Sequence, residues 1–524
     1  MQEIELRFLI PPARLKGLMR QAKVKSSQVT QLAAHYYDTP DQQLAQAGIG
    51  LRIRKEGNNW VQTIKARGDG IAAHLEHNTT LDHEHVQAML NDNALMPDLT
   101  IYKDTAIAPA LAKFKLKKLA KNLTRQYVTD VERTTRLLVD DKNYKNESSI
   151  EVAYDHGKII HGKDDAQRQA IEEIEFELVS GDLDFLFATA KTWCKRYKLC
   201  LSTVTKAERG GLLITEQAYS PAVSANLSQL EVHKDSSRPA FVRAVVNNCL
   251  LQILPNSSAI AEGSEDDGHI LQLRIGIQRL QSALKAFNNF SDQLNPEWSV
   301  ILKQTATLLD EYREVAYLAH TVQPKLKQQG APTVDWSAEL KNIKVSPIDA
   351  VQANDFQLTL LELIAFSMSD PSTEAQADKL AIDKLAKILS KHHTKLLEAE
   401  HNLDDLDIDN AGDVSSNSND EQKAQHKLHN HLNSHLKSLR YISEFAAPLY
   451  SKKQSKRWIK RLAKAQKALG QYLDNLNHKD YYLQKSATEP NALYGAGWFS
   501  ATLVKREKRY QKRLEKARSS TTFW

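Results

Sequence analysis

The chain reads as an α+β protein: a strand-rich, mixed N-terminal half followed by an all-helical C-terminal half. Three observations predict this. Short runs of alternating apolar and polar residues recur as far as about residue 210. From about Ser237 the apolar period changes to that of long helices. The 524 residues exceed what one hydrophobic core organises, so at least two domains are expected.

The alternating runs are "EIELRFLI", "GLRIRKEG", "WVQTIKAR", "QYVTDVERTTRLLV", "SIEVAYDHGKII" and "EEIEFELVSG", with turn residues between them. Helical stretches intervene, among them "PARLKGLMRQAKV" and "LDFLFATAKTWCKRY". In the second half, "GHILQLRIGIQRLQSALKAF" sets Ile270, Leu273, Ile277, Leu280 and Leu284 at helical spacing. The texture places a first domain at 1–212, a linker at 213–236 and a helical domain at 237–518. Within the latter, "LDDLDIDNAGDVSSNSNDEQ" (403–422) is acidic and Asn/Ser-rich, which predicts a flexible loop.

The composition, 41% hydrophobic and 26% charged, is that of a soluble globular protein. No apolar run approaches the roughly 18 residues of a membrane span, and the polar, acidic start is unlike a signal peptide. Cys194, Cys200 and Cys249 have no metal-type spacing and read as buried free thiols. A cytoplasmic protein with no membrane partner is expected. The net charge of +6 is mild, so its distribution matters more than its sum.

That distribution is unusual in three strands. In "EIELRF", Glu3, Glu5 and Arg7 share one face and Ile4, Leu6 and Phe8 the other. In "LRIR", Arg52 and Arg54 oppose Leu51 and Ile53; in "EEIEFEL", Glu173, Glu175 and Glu177 oppose Ile174, Phe176 and Leu178. An ordinary half-exposed sheet turns such a face to water and mixes its signs. Here the faces are sign-pure except for Arg7, and acidic and basic strands occur together. A barrel with a charged interior and an apolar exterior under flanking helices accounts for both. Crowded carboxylates repel and take up protons unless a cation joins them, and carboxylate oxygens suit Mg²⁺ or Mn²⁺. The arginine strand then has a phosphate chain as its natural guest.

These residues resemble the CYTH superfamily, also called triphosphate tunnel metalloenzymes. "EIELR" is similar to its ExExK signature, with Arg7 in place of the lysine. "HYYDTPDQQLAQAGIGLRIRKEGNNWVQTIK", "IEVAYDHGKI", "EEIEFELVSG" and "TKAERGG" follow the family order, over about 1–212. The resemblance implies an eight-stranded antiparallel β-barrel, open as a tunnel, that acts on triphosphates with a divalent metal. It implies Glu3, Glu5, Asp155, Glu173 and Glu175 as metal ligands. Arg7, Arg52, Arg54, Lys65, Arg133, Lys206 and Arg209 are implied on phosphate, with Glu3, Glu5 and Arg7 catalytic. Glu76 falls at an acidic family position, and His74 stands where relatives often have Arg. Arg136 replaces a frequent aromatic and reads as a solvated group. Tyr36 and Tyr37 read as core, and Glu177 as structural or as part of a second metal site.

"GHILQLRIGIQRLQSAL" resembles the CHAD domain signature, and "HLKSLRYISEF" its second copy. This resemblance covers about 235–515 and implies two facing four-helix bundles that bind long-chain polyphosphate. His269, Arg274, Arg279, Lys437 and Arg440 match its polar positions. Independently, no acidic residue lies between Glu444 and Asp474, while Lys456, Arg457, Lys460 and Arg461 recur among further lysines at helical steps. Those steps lay a cationic stripe along one side of a helix.

The expected activity is a metal-dependent inorganic triphosphatase that hydrolyses tripolyphosphate to pyrophosphate and phosphate, with Mg²⁺ or Mn²⁺. Adenylyl cyclase or thiamine triphosphatase chemistry in the same tunnel is one alternative; a non-catalytic polyphosphate scaffold is another. Nucleic acid ranks below phosphate chains as a partner, since a basic stripe attracts any polyanion.

Overall fold

The computed structural model describes residues 2–22, 26–67, 72–92, 94–140, 148–411 and 419–524. Within this range the side chains of Glu3, His74, 404–411 and 419–422 lie outside the description, as do a few others at segment ends. By packing the chain forms two compact units. The first comprises Met1–Ser224, Leu250–Leu273 and Pro347–Ser369; the second comprises Ala225–Cys249, Arg274–Ser346 and Asp370–Trp524. The expected division runs along the sequence, whereas packing gathers two helical segments from beyond residue 237 into the strand-bearing unit.

Among the described residues nine strands belong to the first unit: β1 (Gln2–Leu9), β2 (Gln28–Asp38), β3 (Ile49–Glu56), β4 (Asn59–Arg67), β5 (Ala73–Leu81), β6 (Thr124–Val139), β7 (Ser149–His161), β8 (Arg168–Ser180) and β9 (Cys200–Leu201). Their order is β5-β4-β3-β2-β6-β7-β8-β1-β9, every neighbouring pair antiparallel. β1 pairs with β8 over Glu5–Leu9 and also with β5 through Gln2–Ile4. The two ends of the eight-strand order therefore meet at β1, and the two-residue β9 is an addition there. The α+β class expected from the sequence holds, with nine strands where eight were expected.

Alternation does the sorting. On β3, Leu51 and Ile53 are buried in an outer core with Trp60, Ile64, Leu99 and Tyr102, under the segment that follows β5. On β1 and β8, Phe8 meets Phe176 edge to face at 5.6 Å, and Phe176 meets Trp193 of the helix Leu183–Tyr197 at 5.5 Å. Such aromatic contacts favour edge-to-face geometry. The opposite faces of the same strands carry the charges inward.

Two local devices shape the tunnel. In "YYDTP", Asp38 is structural: its carboxylate accepts from the backbone N–H of Thr39 at 2.7 Å and of Leu44 and Ala45 at 2.9 Å, closing the turn after β2. The helix Lys206–Ile214 is capped by Thr205, whose hydroxyl accepts from Glu208 N–H at 3.0 Å. It crosses the barrel against Tyr127, whose hydroxyl donates to the Ala207 carbonyl at 2.9 Å. A Cβ at Gly210 would stand 2.2 Å from the Tyr127 ring.

The second unit is built of helices among its described residues, with one isolated Ser237–Leu380 bridge. Where it is described, the expected acidic loop is helical. The helix Ile382–Ala411 runs on through Leu403, and another, Asn419–Ala446, follows; 412–418 lie outside the described residues. Once nucleated, a helix propagates through polar residues at little cost per residue.

The Gly210 contact yields a test. Gly210→Ala should destabilise the protein by about 1–3 kcal/mol, because neither the ring nor the helix has room to yield. Urea unfolding measures it; an unchanged midpoint would show that the contact relaxes freely.

Candidate functional site

The inward faces enclose a cavity of about 1020 Å³. β1 supplies Glu5 and Arg7, β3 Arg52 and Arg54, β4 Lys65, β5 Glu76, β6 Arg133, β7 Glu151 and Asp155, β8 Glu175 and Glu177, and the helix after β9 Lys206. Cross-strand register sets them side by side: Arg7 opposite Glu175, Glu5 and Glu151 opposite Glu177, Asp155 opposite Glu173, Arg133 opposite Asp155, and Lys65 opposite Glu76. The result is an acidic wall on β1, β7 and β8, faced by a basic one, the two arginines of β3.

The acidic wall is threaded by cations. Arg7 donates to Glu175 at 2.9 Å and to Glu5 at 2.7 Å, and lies 3.4 Å from Glu173. Arg133 grips both oxygens of Asp155 at 2.7 and 2.6 Å, and also reaches Glu175. Lys206 bonds Asp155 at 2.6 Å, Glu175 at 3.0 Å, and Glu173. Burial alone would raise the Glu175 carboxyl; Lys206, Arg133 and Arg7 override it and hold it well below the usual carboxylate range. Asp155 is likewise held low against its burial, by Lys206 and Arg133. Burial works to lower Lys206, and its three carboxylate partners raise it instead.

The basic wall is less satisfied. Arg52 donates to the Tyr36 hydroxyl at 3.2 Å, and its Nε has no hydrogen-bond partner among the described residues. Arg54 pairs with Glu56, and burial together with Arg52 lowers it. Arg133 adds a third positive charge that opposes both. Crowded, incompletely paired guanidiniums are a receptor for a multivalent anion.

For a metal, the structure brings together Asp155, Glu173 and Glu175. One oxygen from each lies within 4.8 Å of the others, all three residues are buried, and Glu173 Oε2 has no hydrogen-bond partner. A hard, all-carboxylate donor set with an orphaned buried oxygen fits Mg²⁺ or Mn²⁺. Of the other expected ligands, Glu5 does not join this group among the described residues. Both Glu5 oxygens face cations, Arg7 and Lys65, the latter at 3.1 Å. Glu3 pairs with His74 along the backbone, and both side chains lie outside the described residues.

Other expectations shift. Arg209 was expected on phosphate, yet it does not line the cavity. It is buried between Glu173 and Glu262, because the helix carrying it turns that face inward. Arg136 was expected in solvent and donates to the Gln21 carbonyl at 3.0 Å. Tyr36 is buried, as expected, but it also lines the cavity and serves Arg52. Glu151 was missed although it shares the Asp155 face by simple alternation. Glu262 was missed because nothing in its sequence neighbourhood signals a site.

Of the helical candidates, His269 and Arg279 are interior. His269 spends both ring nitrogens at 2.8 Å, on the Ser264 hydroxyl and the Ser220 carbonyl. Arg279, 1% exposed, donates to Asn248 at 2.9 Å and lies over the Phe445 ring. Both satisfy buried polar groups, which removes them from any surface for polyphosphate. Arg274 pairs with Asp310. Arg440 donates to Glu444 at 2.7 Å and to Gln466 at 2.9 Å. Lys437 is half-buried; burial, then Arg274, lowers it. On the helix Lys452–Lys485, by contrast, Lys456, Arg457, Lys460, Lys464 and Lys467 are exposed, while Trp458, Leu462, Ala465 and Leu469 are buried on the other side. Arg461 is half-buried and donates to the Lys516 carbonyl and to Ser520.

Residues 1–210 match the CYTH domain model, and residues 244–476 match the CHAD domain model. The chain is 32% identical over 223 residues to an inorganic triphosphatase of Haemophilus influenzae; the match covers 41% of this chain and 56% of that protein's length. The solved CHAD domain of the plant Ricinus communis aligns with 59% of this chain and 99% of its own, at 19% identity and a TM-score of 0.46. PptA from Streptomyces chartreusis aligns with 53% of this chain and 100% of its own, at 14% identity and a TM-score of 0.40. No helix among the described residues is long and apolar enough to cross a membrane.

Glu177 makes the electrostatics testable. Burial, then Glu5 and Glu151, push its carboxyl up to about 7 from 4.5. The unfolded chain ionises first, so this group costs stability as pH rises through the window between those values. In metal-free buffer, Glu177→Gln should be more stable than the parent at about pH 8 and not at about pH 4. Thermal melts across pH decide; parallel pH profiles would sink the assignment.

Proposed function

From a CYTH domain followed by a CHAD domain, we propose a metal-dependent inorganic triphosphatase that hydrolyses tripolyphosphate inside the charged tunnel. The observation that carries this reading is a buried carboxylate trio, two members of which, Asp155 and Glu175, line one cavity with the crowded arginines of β3, where Arg52 keeps an unpaired Nε. The triphosphatase relative supports the reaction class.

Asp155, Glu173 and Glu175 would hold Mg²⁺ or Mn²⁺, which when bound supplies Lewis acidity toward phosphate oxygens. Arg52 and Arg54 seat the phosphate chain from the opposite wall. Arg7, Lys65, Arg133 and Lys206 line the cavity between the walls and neutralise the charge that builds on the departing pyrophosphate. Glu5 stays at the cavity surface, where a proton from the attacking water is received. The segment 1–212 is the catalytic part in this reading, and the helical part binds long-chain polyphosphate through the exposed Lys456–Lys467 stripe. Three free, buried cysteines agree with a reducing, cytoplasmic setting.

One observation favours a second reading. The cavity is far roomier than a tripolyphosphate, and one part is lined by Ile214, Leu250, Leu254, Pro255 and Ala259. An apolar surface of that kind suits the organic group of a nucleoside or thiamine triphosphate.

A phosphate-release assay over tripolyphosphate, pyrophosphate, long-chain polyphosphate, ATP and thiamine triphosphate ranks the readings. Faster turnover of ATP, or its conversion to cyclic AMP, puts the second reading first. Glu175→Gln should cut kcat on tripolyphosphate roughly 100-fold or more, and Glu5→Gln should abolish release; full activity in either removes that residue from the mechanism. Reversing Lys456 and Lys460 to Glu should weaken long-chain polyphosphate binding and flatten its salt dependence, leaving tripolyphosphate hydrolysis unchanged. Unaltered polyphosphate binding rejects the stripe.

A further inference from the structure

The carboxylate trio offers six oxygens, and five are engaged by protein cations. Asp155 gives both to Arg133 and one of them also to Lys206. Glu175 gives one to Arg7 and Lys206 and the other to Arg133. Glu173 Oε1 faces Lys206 and Arg7. Glu173 Oε2 alone has no hydrogen-bond partner, in a residue with 0% exposure.

A further cation beside that oxygen is held back. Arg209 Nε lies 3.9 Å from Glu173 Oε2, and this Nε also has no hydrogen-bond partner. Two buried, opposite charges with both facing atoms unsatisfied are costly, and a shift of about 1 Å would join them. What opposes the shift is Glu262, in the turn after the helix Arg238–Ala261. Its carboxylate accepts from the far end of the same guanidinium at 2.9 Å and from the Ser202 hydroxyl at 3.4 Å. The Tyr219 hydroxyl fixes the Glu262 carbonyl at 3.4 Å. At the other end, Arg209 N–H bonds the Thr205 carbonyl at 2.9 Å within the capped helix. Arg209 is thus stretched between a helix and a fixed carboxylate, just short of Glu173. All these residues belong to the first unit.

We propose that Glu262 is a positioning residue: it restrains Arg209 and so keeps Glu173 Oε2 open for a divalent cation. This rests on the metal reading of the tunnel and adds to it a residue from outside the CYTH segment. Without Glu262, Arg209 closes on Glu173 and occupies the last open oxygen with a guanidinium.

The test is metal binding, not turnover. Mn²⁺ is titrated into the full-length, metal-free protein, with free Mn²⁺ followed by electron paramagnetic resonance. Glu262→Gln should weaken Mn²⁺ binding by about 10- to 100-fold, the usual effect of losing a group that orients a ligand. Arg209→Met alone should bind Mn²⁺ at least as tightly as the parent, since a competing charge is gone. The double variant should recover most of the loss, which damage to the fold would not allow. Unchanged affinity in Glu262→Gln, or no recovery in the double variant, overturns the role of Glu262. Should Glu262→Gln fail to fold, the Arg209→Met variant decides alone, and weaker Mn²⁺ binding there overturns the proposal. A parent that binds no Mn²⁺ removes the metal reading and this one together, whereas a binding parent with an indifferent Glu262→Gln removes only this one.

Discussion

Mutual neutralisation of buried charge is the constraint on which the tunnel depends. Asp155 and Glu173 are fully buried and Glu175 nearly so, and leaving one ionised carboxylate unpaired in such a place costs several kcal/mol. Arg7, Arg133 and Lys206 offset that cost by each serving two or three carboxylates at once. Arg7 shows why a guanidinium suits the position. Its fork spans Glu5 on its own strand and Glu175 on the next, and a single ammonium reaches such a spread less well. The departure from the ExExK signature is therefore compatible with the same carboxylate arrangement.

The same pairing holds the strands in register. A one-residue slip of β8 against β1 would turn Glu173, Glu175 and Glu177 under the helix Leu183–Tyr197 and drive Phe176 into the cavity. Both errors are expensive, so the charged and apolar faces enforce one another. Lys206 is placed by different means. It opens a helix whose cap is Thr205, and Gly210 lets that helix lie on Tyr127. The local chemistry of "TKAERGG" thus delivers a lysine to carboxylates on β7 and β8.

Much of this was legible in the sequence because strand alternation is a simple code. Glu5, Arg7, Arg52, Arg54, Glu173 and Glu175 were assignable from it, and Lys65, Asp155 and Lys206 from the family resemblance. β2 and β5 were not recognised as strands: "AHLEHNTTL" is rich in His and Asn and nearly devoid of apolar alternation, so only its pairing with β4 and β1 makes it a strand. Spacing could not tell which carboxylates converge. Glu5 shares a face with the rest, yet Arg7 and Lys65 hold it outside the trio. In the helical half, His269 and Arg279 matched a polar pattern that also describes groups satisfying a buried interior, and only burial separates the two meanings. Glu262 had no signal at all, because its partner is distant in the chain.

The two walls are therefore unequal in what an incoming anion must displace. On the acidic wall, Arg7, Arg133 and Lys206 are already committed, and a phosphate engages them only as a carboxylate gives them up. On β3, Arg52 hydrogen-bonds only a tyrosine hydroxyl among the described residues, is raised against its burial by Tyr36 and Glu76, and keeps an unpaired Nε. Contact with Arg52 breaks no ion pair of its own among the described residues, whereas Arg54 must share Glu56. A divalent cation held by the trio, as proposed, would have the complementary effect, since it would share the carboxylates that hold Arg7, Arg133 and Lys206. On that reading each guest would relieve the partner that the other needs, and two sites linked in that way would favour one another by the same factor in both directions.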